Sequence, residues 1–223
     1  MINVDHIYVC HWSKLRERKE YLIDHLGKLG INDYHFVECF DKAEWDIKQI
    51  EKDYPKVLGL TTSNTQLNYS EISLVLKYCW AIRDAYNNGY ESVLMLEDDV
   101  ELHPDFVNLF NDFKSQLPED WDLAWVGSCL NLHARTVPNQ NVYRVNGSRC
   151  THAFMVSKNC INKIINDVHN VDNAADHYFN GLIEKFNLNN YWFEPSLAEQ
   201  NKSSEIFNTS VHYKAELDRQ EEK

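Results

Sequence analysis

The chain has 223 residues, of which 43% are hydrophobic, 13% aromatic and 25% charged. This composition is typical of a globular protein with one main domain, and the aromatic content argues against intrinsic disorder. The formal net charge is −12. So acidic a chain is a poor match for nucleic acid or for an anionic membrane surface, because both require a basic face.

The sequence shows neither a signal peptide nor a membrane span. Residues Met1–His6 lack a basic region followed by an apolar run, and no apolar run approaches the length of about 18 residues that a spanning helix needs. We therefore expect a cytoplasmic protein. The six cysteines are scattered without a Cys-x-x-Cys pair, which predicts buried free thiols rather than a zinc site.

The first forty residues alternate between strand and helix patterns. His6–Cys10 is a run of β-branched and aromatic residues that predicts a buried strand. Ser13 is expected to cap a helix whose apolar stripe ends at Gly30. Residues 35–40 predict a second strand. This strand–helix–strand order is typical of a parallel α/β sheet.

Residues 41–68 interrupt the alternation. The segment is polar and contains Pro55 and Gly59. We expect a long excursion with a short helix near Trp45–Lys52. Loops of this length in compact domains are usually functional or mobile, so a lid that orders over a bound ligand is one interpretation.

The alternation then continues through the rest of the chain. The predicted helices are one that Ser70 caps and that runs to about residue 88, one that begins near Pro104, one that Ser157 caps and that runs to about residue 168, and one within 172–186. The predicted strands are 92–96, 123–126, 142–145, 153–156 and 191–193. These elements predict a single α/β domain over residues 1–214, with a mostly parallel central sheet flanked by helices. Residues 215–223 form a charged tail.

An acidic run, Glu97-Asp98-Asp99, follows directly after the predicted strand 92–96. Adjacent carboxylates repel one another, and each loses hydration if the strand end is buried. A divalent cation such as Mg²⁺ or Mn²⁺ would relieve both costs. Ligands of open α/β sheets bind at the carboxyl ends of the strands. The alternative, a solvated acidic turn, is equally compatible with composition alone.

The wider pattern resembles glycosyltransferase family 25, whose members have the GT-A fold, and the acidic run is similar to the acid-x-acid (DXD) motif of nucleotide-sugar glycosyltransferases. The matching blocks occur in the family's order over residues 6–206 and comprise Ile7-Tyr8-Val9 with Arg16 and Arg18, Ser70–Tyr78, Trp80–Ile82, the acidic run, Thr151–Ser157, Ala175–Phe179 and Pro195–Gln200. Ser70 and Lys77-Tyr78 stand where Gly and Ser-His are more common. These departures favour a divergent member, for instance a viral or microbial one.

The resemblance implies transfer of a sugar from a nucleoside diphosphate sugar, with a UDP-sugar favoured, to a glycan or glycoprotein acceptor with inversion. It also implies Mn²⁺ or Mg²⁺ as cofactor. Asp99 would then be the direct metal ligand, and Glu97 or Asp98 would bind the metal through water or hold the ribose. His212 is the candidate for a histidine ligand late in the chain, although an ordinary surface histidine is an alternative.

An anionic donor needs cationic side chains in so acidic a protein. Arg16, Arg18 and Lys77 are the candidates, each of which could instead lie on a solvated helix face. Tyr8 could pack on the nucleotide base or belong to the core.

Inversion requires a base that takes the proton of the acceptor hydroxyl. The resemblance points to Asp176, with Asp172 in reserve, and a carboxylate that stabilises a helix N-terminus is the alternative. Gly127-Ser128 and Thr151-His152 lie at strand boundaries, where they could line the sugar pocket.

Two other functions remain open from the sequence. A metal-dependent phosphohydrolase or nucleotidyltransferase could use the same acids, although the sequence has no Gly-rich phosphate loop. A nucleotide-sugar-binding module without turnover is the second alternative.

Overall fold

A computed structural model describes residues 1–41, 67, 69–129, 138–168 and 171–201. The predicted helix near Trp45–Lys52, nearly all of the predicted lid and the charged tail lie outside the described residues. The described part contains nine strands and five helices. The strands are β1 His6–Cys10, β2 His35–Val37, β3 Ser92–Glu97, β4 Val100–Leu102, β5 Leu123–Cys129, β6 Val142–Arg144, β7 Arg149–Ser157, β8 Asn190–Phe193 and β9 Ala198–Gln200. The helices are α1 Arg16–Lys28, α2 Tyr69–Asn88, α3 Phe106–Ser115, α4 Lys158–Ile164 and α5 Ala175–Phe186.

Seven of these strands form one sheet in the order β2-β1-β3-β7-β5-β8-β6. β1 pairs in parallel with both β2 and β3, and β5 pairs in parallel with β8. β7 is antiparallel to both β3 and β5, and β6 is antiparallel to β8. Five strands therefore run in one direction, which confirms the predicted α/β fold with a mostly parallel sheet flanked by helices.

The alternation of side chains along each strand divides the core between the two faces of the sheet. In β1, Tyr8 and Cys10 belong to the cluster that packs against α2, α4 and α5. Ile7 and Val9 belong to the cluster on the opposite face, which packs against α1 and α3. Both faces are covered, as a largely parallel sheet requires.

The predicted serine caps have different outcomes. Ser157 caps α4, because its Oγ accepts a hydrogen bond from Cys160 N at 3.1 Å. Ser13 does not cap α1, which begins at Arg16; instead, Ser13 N donates to Asp41 Oδ2 at 3.0 Å. Ser70 lies within α2 rather than before it.

A two-stranded sheet, which the sequence pattern does not predict, fixes the chain just after the acidic run. β4 and β9 pair antiparallel, with Val100 opposite Gln200. Asn201 N also donates to the carbonyl oxygen of Asp99 at 2.7 Å. The acidic run is thus held by β3 before it and by β4 after it.

The cysteines agree only in part with the predicted free thiols. Cys10, Cys39, Cys79 and Cys160 are free, and three of them are buried. Cys150 is disulfide-bonded, so the prediction is wrong at that position. Among the described residues, no helix has the length and apolar character needed to cross a membrane.

Candidate active site

A cavity of about 180 Å³ opens where β1 and β3 end, at the carboxyl edge of the sheet. This is the edge where open α/β sheets bind ligands. Its wall consists of Cys10, His11, Trp12, Leu15 and Arg18 from β1 and the start of α1, Ser70, Glu71, Ser73, Leu74 and Lys77 from α2, the acidic run Glu97, Asp98 and Asp99, and Gln200 from β9. The predicted acids therefore meet two of the three predicted cations here.

Asp98 is the centre of a buried polar network that joins β3 to the start of α1. Its Oδ1 accepts a hydrogen bond from Arg18 Nη1 at 2.8 Å, and its Oδ2 lies 2.8 Å from His11 Nδ1. Arg18 Nη1 also lies 3.6 Å from Asp99 Oδ2. One guanidinium nitrogen thus neutralises part of the repulsion between the two aspartates.

Lys77 forms a second buried ion pair on the opposite wall. Its Nζ donates to Asp41 Oδ1 at 2.7 Å and to the carbonyl oxygen of Cys39 at 2.6 Å. The Lys77 and Asp41 side chains are only 4% and 2% exposed. Ser73 Oγ donates to the carbonyl oxygen of Phe40 at 2.7 Å. These bonds fasten the chain after β2 to the first turns of α2.

Glu97 is stabilised differently from its two neighbours. Its Oε1 accepts hydrogen bonds from Thr151 Oγ1 at 2.7 Å and from the Tyr78 hydroxyl at 3.1 Å. Burial and the nearby charge of Asp99 raise the pKa of Glu97 to about 8, although both hydrogen bonds oppose this shift. Glu97 is therefore predominantly protonated at neutral pH, which removes one charge from the acidic run.

Asp99 is the acid of the run best suited to a cation. It lines the cavity, and its side chain is 21% exposed, against 10% for Asp98. Among the described residues, no group of three or more His, Cys, Asp or Glu side chains could hold a metal ion. His212, the predicted histidine ligand, lies outside the described residues. The described chain thus fits a metal only where other ligands come from a bound substrate, as is common for Mg²⁺.

Arg16 and Tyr8 do not line the cavity. Arg16 is exposed on the surface of α1. Tyr8 is fully buried, and its hydroxyl donates to Asp84 Oδ2 at 2.6 Å. Because Tyr8 shares a face of β1 with Cys10 and packs under α2, the structure places it in the core and not in the cavity wall.

Gly127 and His152 have structural roles next to the cavity rather than in its wall. A Cβ at Gly127 would lie 2.2 Å from the carbonyl oxygen of Ala198 and 2.7 Å from His152 Nε2. His152 Nε2 is 3.1 Å from the same carbonyl oxygen. Together these two residues let β9 approach β5 and β7. Thr151 reaches the site through its bond to Glu97.

Asp176 lies in the first turn of α5, outside the cavity wall. Its Oδ1 accepts a hydrogen bond from His177 N at 2.8 Å, and its Oδ2 lies 3.7 Å from Arg149 Nε. Arg149 begins β7, the strand whose Thr151 contacts Glu97, so Asp176 belongs to the same edge of the sheet. Asp172, the reserve candidate, is exposed.

Sequence reasoning missed three residues of the cavity region, His11, Trp12 and Asp41. His11 directly follows β1, and Asp41 comes shortly after β2. The strand-end argument that identifies the acidic run would have identified both, had it been applied to every predicted strand. Trp12 gives the cavity an aromatic wall, the role that the sequence suggests for Tyr8.

Comparison with known proteins identifies a family for the chain. The sequence model of glycosyltransferase family 25 (LPS biosynthesis protein) matches residues 4–179. No curated protein sequence matches the chain.

Two solved structures match the chain. One is a glycosyltransferase involved in the glycosylation of the major capsid of PBCV-1, with 14% identity, a TM-score of 0.50 and coverage of 97% of this chain and 98% of that one. The other is A197 from STIV, with 14% identity, a TM-score of 0.47 and coverage of 84% and 80%. On the extent of the family match, the chain belongs to glycosyltransferase family 25.

Proposed function

We propose that this family 25 chain transfers a sugar from a nucleoside diphosphate sugar, most simply a UDP-sugar, to a hydroxyl of a glycan or glycoprotein, with inversion and with Mn²⁺ or Mg²⁺. The observation that carries the proposal is the cavity at the strand ends, whose wall contains Arg18, Lys77 and Asp99. A diphosphate needs cations, and a divalent metal needs a hard carboxylate oxygen.

The donor diphosphate would lie between the two cationic walls. Arg18 and Lys77 are each anchored by a carboxylate, so their positions are set before the donor binds, which reduces the entropy lost on binding. Trp12 would supply a flat apolar surface for the base or the sugar. In transfer, the diphosphate leaves with increasing negative charge, which fixed cations stabilise.

Asp99 would hold the metal together with oxygens of the donor diphosphate. A bound divalent cation supplies charge stabilisation to the leaving group. Because the described residues offer no complete metal site, we expect Mn²⁺ to bind weakly alone and tightly with a nucleoside diphosphate.

Asp176 would take the proton of the acceptor hydroxyl as that oxygen attacks the anomeric carbon. Its position at the edge that carries Thr151 and Glu97 supports this role, and its two contacts hold the carboxylate in one orientation.

The first test measures donor use and its dependence on Asp99. The chain is incubated with Mn²⁺, a panel of nucleotide sugars and glycan acceptors, and the released nucleoside diphosphate and the glycosylated product are quantified. Asp99→Asn should lower turnover by about 100-fold or more, because it removes a carboxylate ligand of the metal. Asp112→Asn, which changes an exposed acid on α3, should leave turnover unchanged.

Three outcomes would contradict the proposal. Full turnover in folded Asp99→Asn would show that Asp99 has no metal role. Release of inorganic phosphate instead of sugar transfer would favour a phosphohydrolase. Tight nucleotide binding without transfer to any acceptor would favour a binding module.

A further inference from the structure

Asp98 uses both carboxylate oxygens to hold the segment that runs from β1 into α1. Arg18 Nη1 donates to one oxygen and His11 Nδ1 contacts the other, each at 2.8 Å. The exposed fractions of the three side chains are 10% for Asp98, 4% for Arg18 and 0% for His11. The network is therefore shielded from water. Charge-assisted hydrogen bonds are strongest in such water-excluded surroundings.

The protonation state of Asp98 fits this role. The permanently charged Arg18 donates a hydrogen bond to one oxygen of Asp98, which favours the ionised form of this carboxylate. An ionised carboxylate only accepts hydrogen bonds, so the proton of the shared bond resides on His11 Nδ1.

The position of Arg18 depends on this network. Its Nη1 lies 2.8 Å from Asp98 but 3.6 Å from Asp99 Oδ2. A buried guanidinium needs a counter-charge, and of these two contacts only the one to Asp98 is within hydrogen-bond distance. Asp98 therefore sets where Arg18 Nη1 lies.

Resting on the proposed function, we propose that Asp98 is a positioning residue for donor binding: it holds the Arg18 guanidinium at the cavity wall for the donor diphosphate. This role differs from the ribose or metal contact that the family resemblance implies for Asp98. Within the acidic run, Asp98 would then orient the Arg18 guanidinium, and Asp99 would bind the metal cation.

Inorganic pyrophosphate is a suitable probe, because it carries the diphosphate common to all candidate donors. The probe is titrated into the full chain at a series of Mn²⁺ concentrations. Asp98→Asn should weaken pyrophosphate binding about tenfold or more at saturating Mn²⁺. The Mn²⁺ concentration that gives half of the maximal affinity should stay unchanged, because Asp98 does not bind the metal.

A double-mutant cycle tests whether Asp98 acts through Arg18. Arg18→Met should weaken pyrophosphate binding at least as much as Asp98→Asn. The double variant should bind no more weakly than Arg18→Met alone, because removing the anchor has no effect once the anchored group is gone. Additive losses, or a shifted Mn²⁺ midpoint in Asp98→Asn, would overturn the positioning role while leaving the proposed transferase activity intact.

Asp122 provides a matched control for the loss of a buried acid. It is 0% exposed and accepts hydrogen bonds from Lys163 Nζ at 2.8 and 2.6 Å, but it precedes β5 at the opposite edge of the sheet. Asp122→Asn should lower the thermal midpoint without weakening pyrophosphate binding. An equal loss of pyrophosphate binding in both variants would show that the effect of Asp98 is only structural.

Should Asp98→Asn fail to fold, His11→Gln replaces it, because it disturbs only one of the two anchoring bonds. It should weaken pyrophosphate binding to a smaller extent, again at an unchanged Mn²⁺ midpoint. A folded His11→Gln chain with unaltered affinity would overturn the inference. An unmodified chain that binds no pyrophosphate at any Mn²⁺ concentration would overturn the proposed function together with it.

Discussion

Glu97, Asp98 and Asp99 are neighbours in sequence, but each carboxyl group has a different environment. Glu97 is half-buried in the cavity wall, and its pKa is raised to about 8. Asp98 is ionised and neutralised by Arg18, and Asp99 faces the cavity. The repulsion that suggests a metal site in the sequence is thus relieved largely by protein groups, and the case for a metal rests on Asp99 alone.

The raised pKa of Glu97 predicts that the free energy of unfolding depends on pH. Its pKa is raised from 4.5 to about 8 on folding, so the native state binds more protons than the unfolded state between these values. Its contribution to the free energy of unfolding is full below about pH 4.5 and is lost as the pH rises through 8. Between these two pKa values, the contribution of Glu97 to the free energy of unfolding falls by at most about 1.4 kcal/mol per pH unit.

Glu97→Gln should remove this slope, because glutamine does not titrate. Urea unfolding at half-unit intervals from pH 5 to pH 8 measures it, with the exposed Glu17→Gln as control. If the free energy of unfolding changes with pH in the same way in the unmodified chain and in Glu97→Gln, the pKa of Glu97 is not raised.

At the residue scale, the sequence identifies those functional side chains that belong to a recognisable local pattern. The acidic run lies at the end of an apolar strand, and Arg18 lies in a block similar to the family's. His11 and Asp41 also follow predicted strands, but the partners that define their roles come from distant positions, so the sequence indicates where they lie and not what they contact. Tyr8 shows the converse, since strand alternation places it with Cys10 on the face under α2, where it is a core residue.

At the scale of elements, β9 closes the site from the side opposite α2. It pairs with β4, contributes Gln200 to the cavity and lies against Gly127 of β5. The approach to Gly127 is so close that no side chain fits between them.

Gly127→Ala should therefore displace β9. Its Cβ would lie 2.2 Å from a backbone oxygen, which cannot rotate away as a side chain could. We expect a loss of about 3 kcal/mol in the free energy of unfolding, and weaker nucleotide binding as Gln200 moves. Urea unfolding and nucleotide titration measure both effects.

Gly181→Ala is the control for this substitution. Gly181 lies inside α5, and nothing would lie within 4 Å of its new Cβ. That variant should gain about 0.5–1 kcal/mol from helix propensity. Equal stability of the two variants would show that the contact at Gly127 is not restrictive.

The elements themselves differ in how well the sequence predicts them. The long helix α2 and the apolar strands β1 and β3 have strong periodic patterns, and the structure contains all three. β9 has only three residues, Ala-Glu-Gln, with no β-branched or aromatic side chain. Its pairing with β4 is a tertiary effect, so no local pattern predicts it.

At the scale of the whole molecule, the acid surplus has a specific consequence for an anionic donor. The net charge of −12 repels a diphosphate at long range. Arg18 and Lys77 line the cavity, but each is paired with a carboxylate, so they offset little of this repulsion. Under the proposed function, a donor that brings its own divalent cation would therefore be favoured.

The contacts that build the cavity also bear on how the chain folds. Arg18 and Asp98 are 80 positions apart, and His11 and Asp98 are 87 apart. They meet only when β1 has paired in parallel with β3, and parallel pairing over so long a loop is slow. Nucleotide-binding competence should therefore appear in the same kinetic phase as the native sheet.

Stopped-flow refolding can test this by following tryptophan fluorescence and the capture of a fluorescent nucleoside diphosphate in parallel. Capture that preceded sheet formation would show that the site assembles locally. If the two signals rise together, a nascent or partly folded chain has no means of sequestering the donor, and only the finished domain competes for nucleotide sugars.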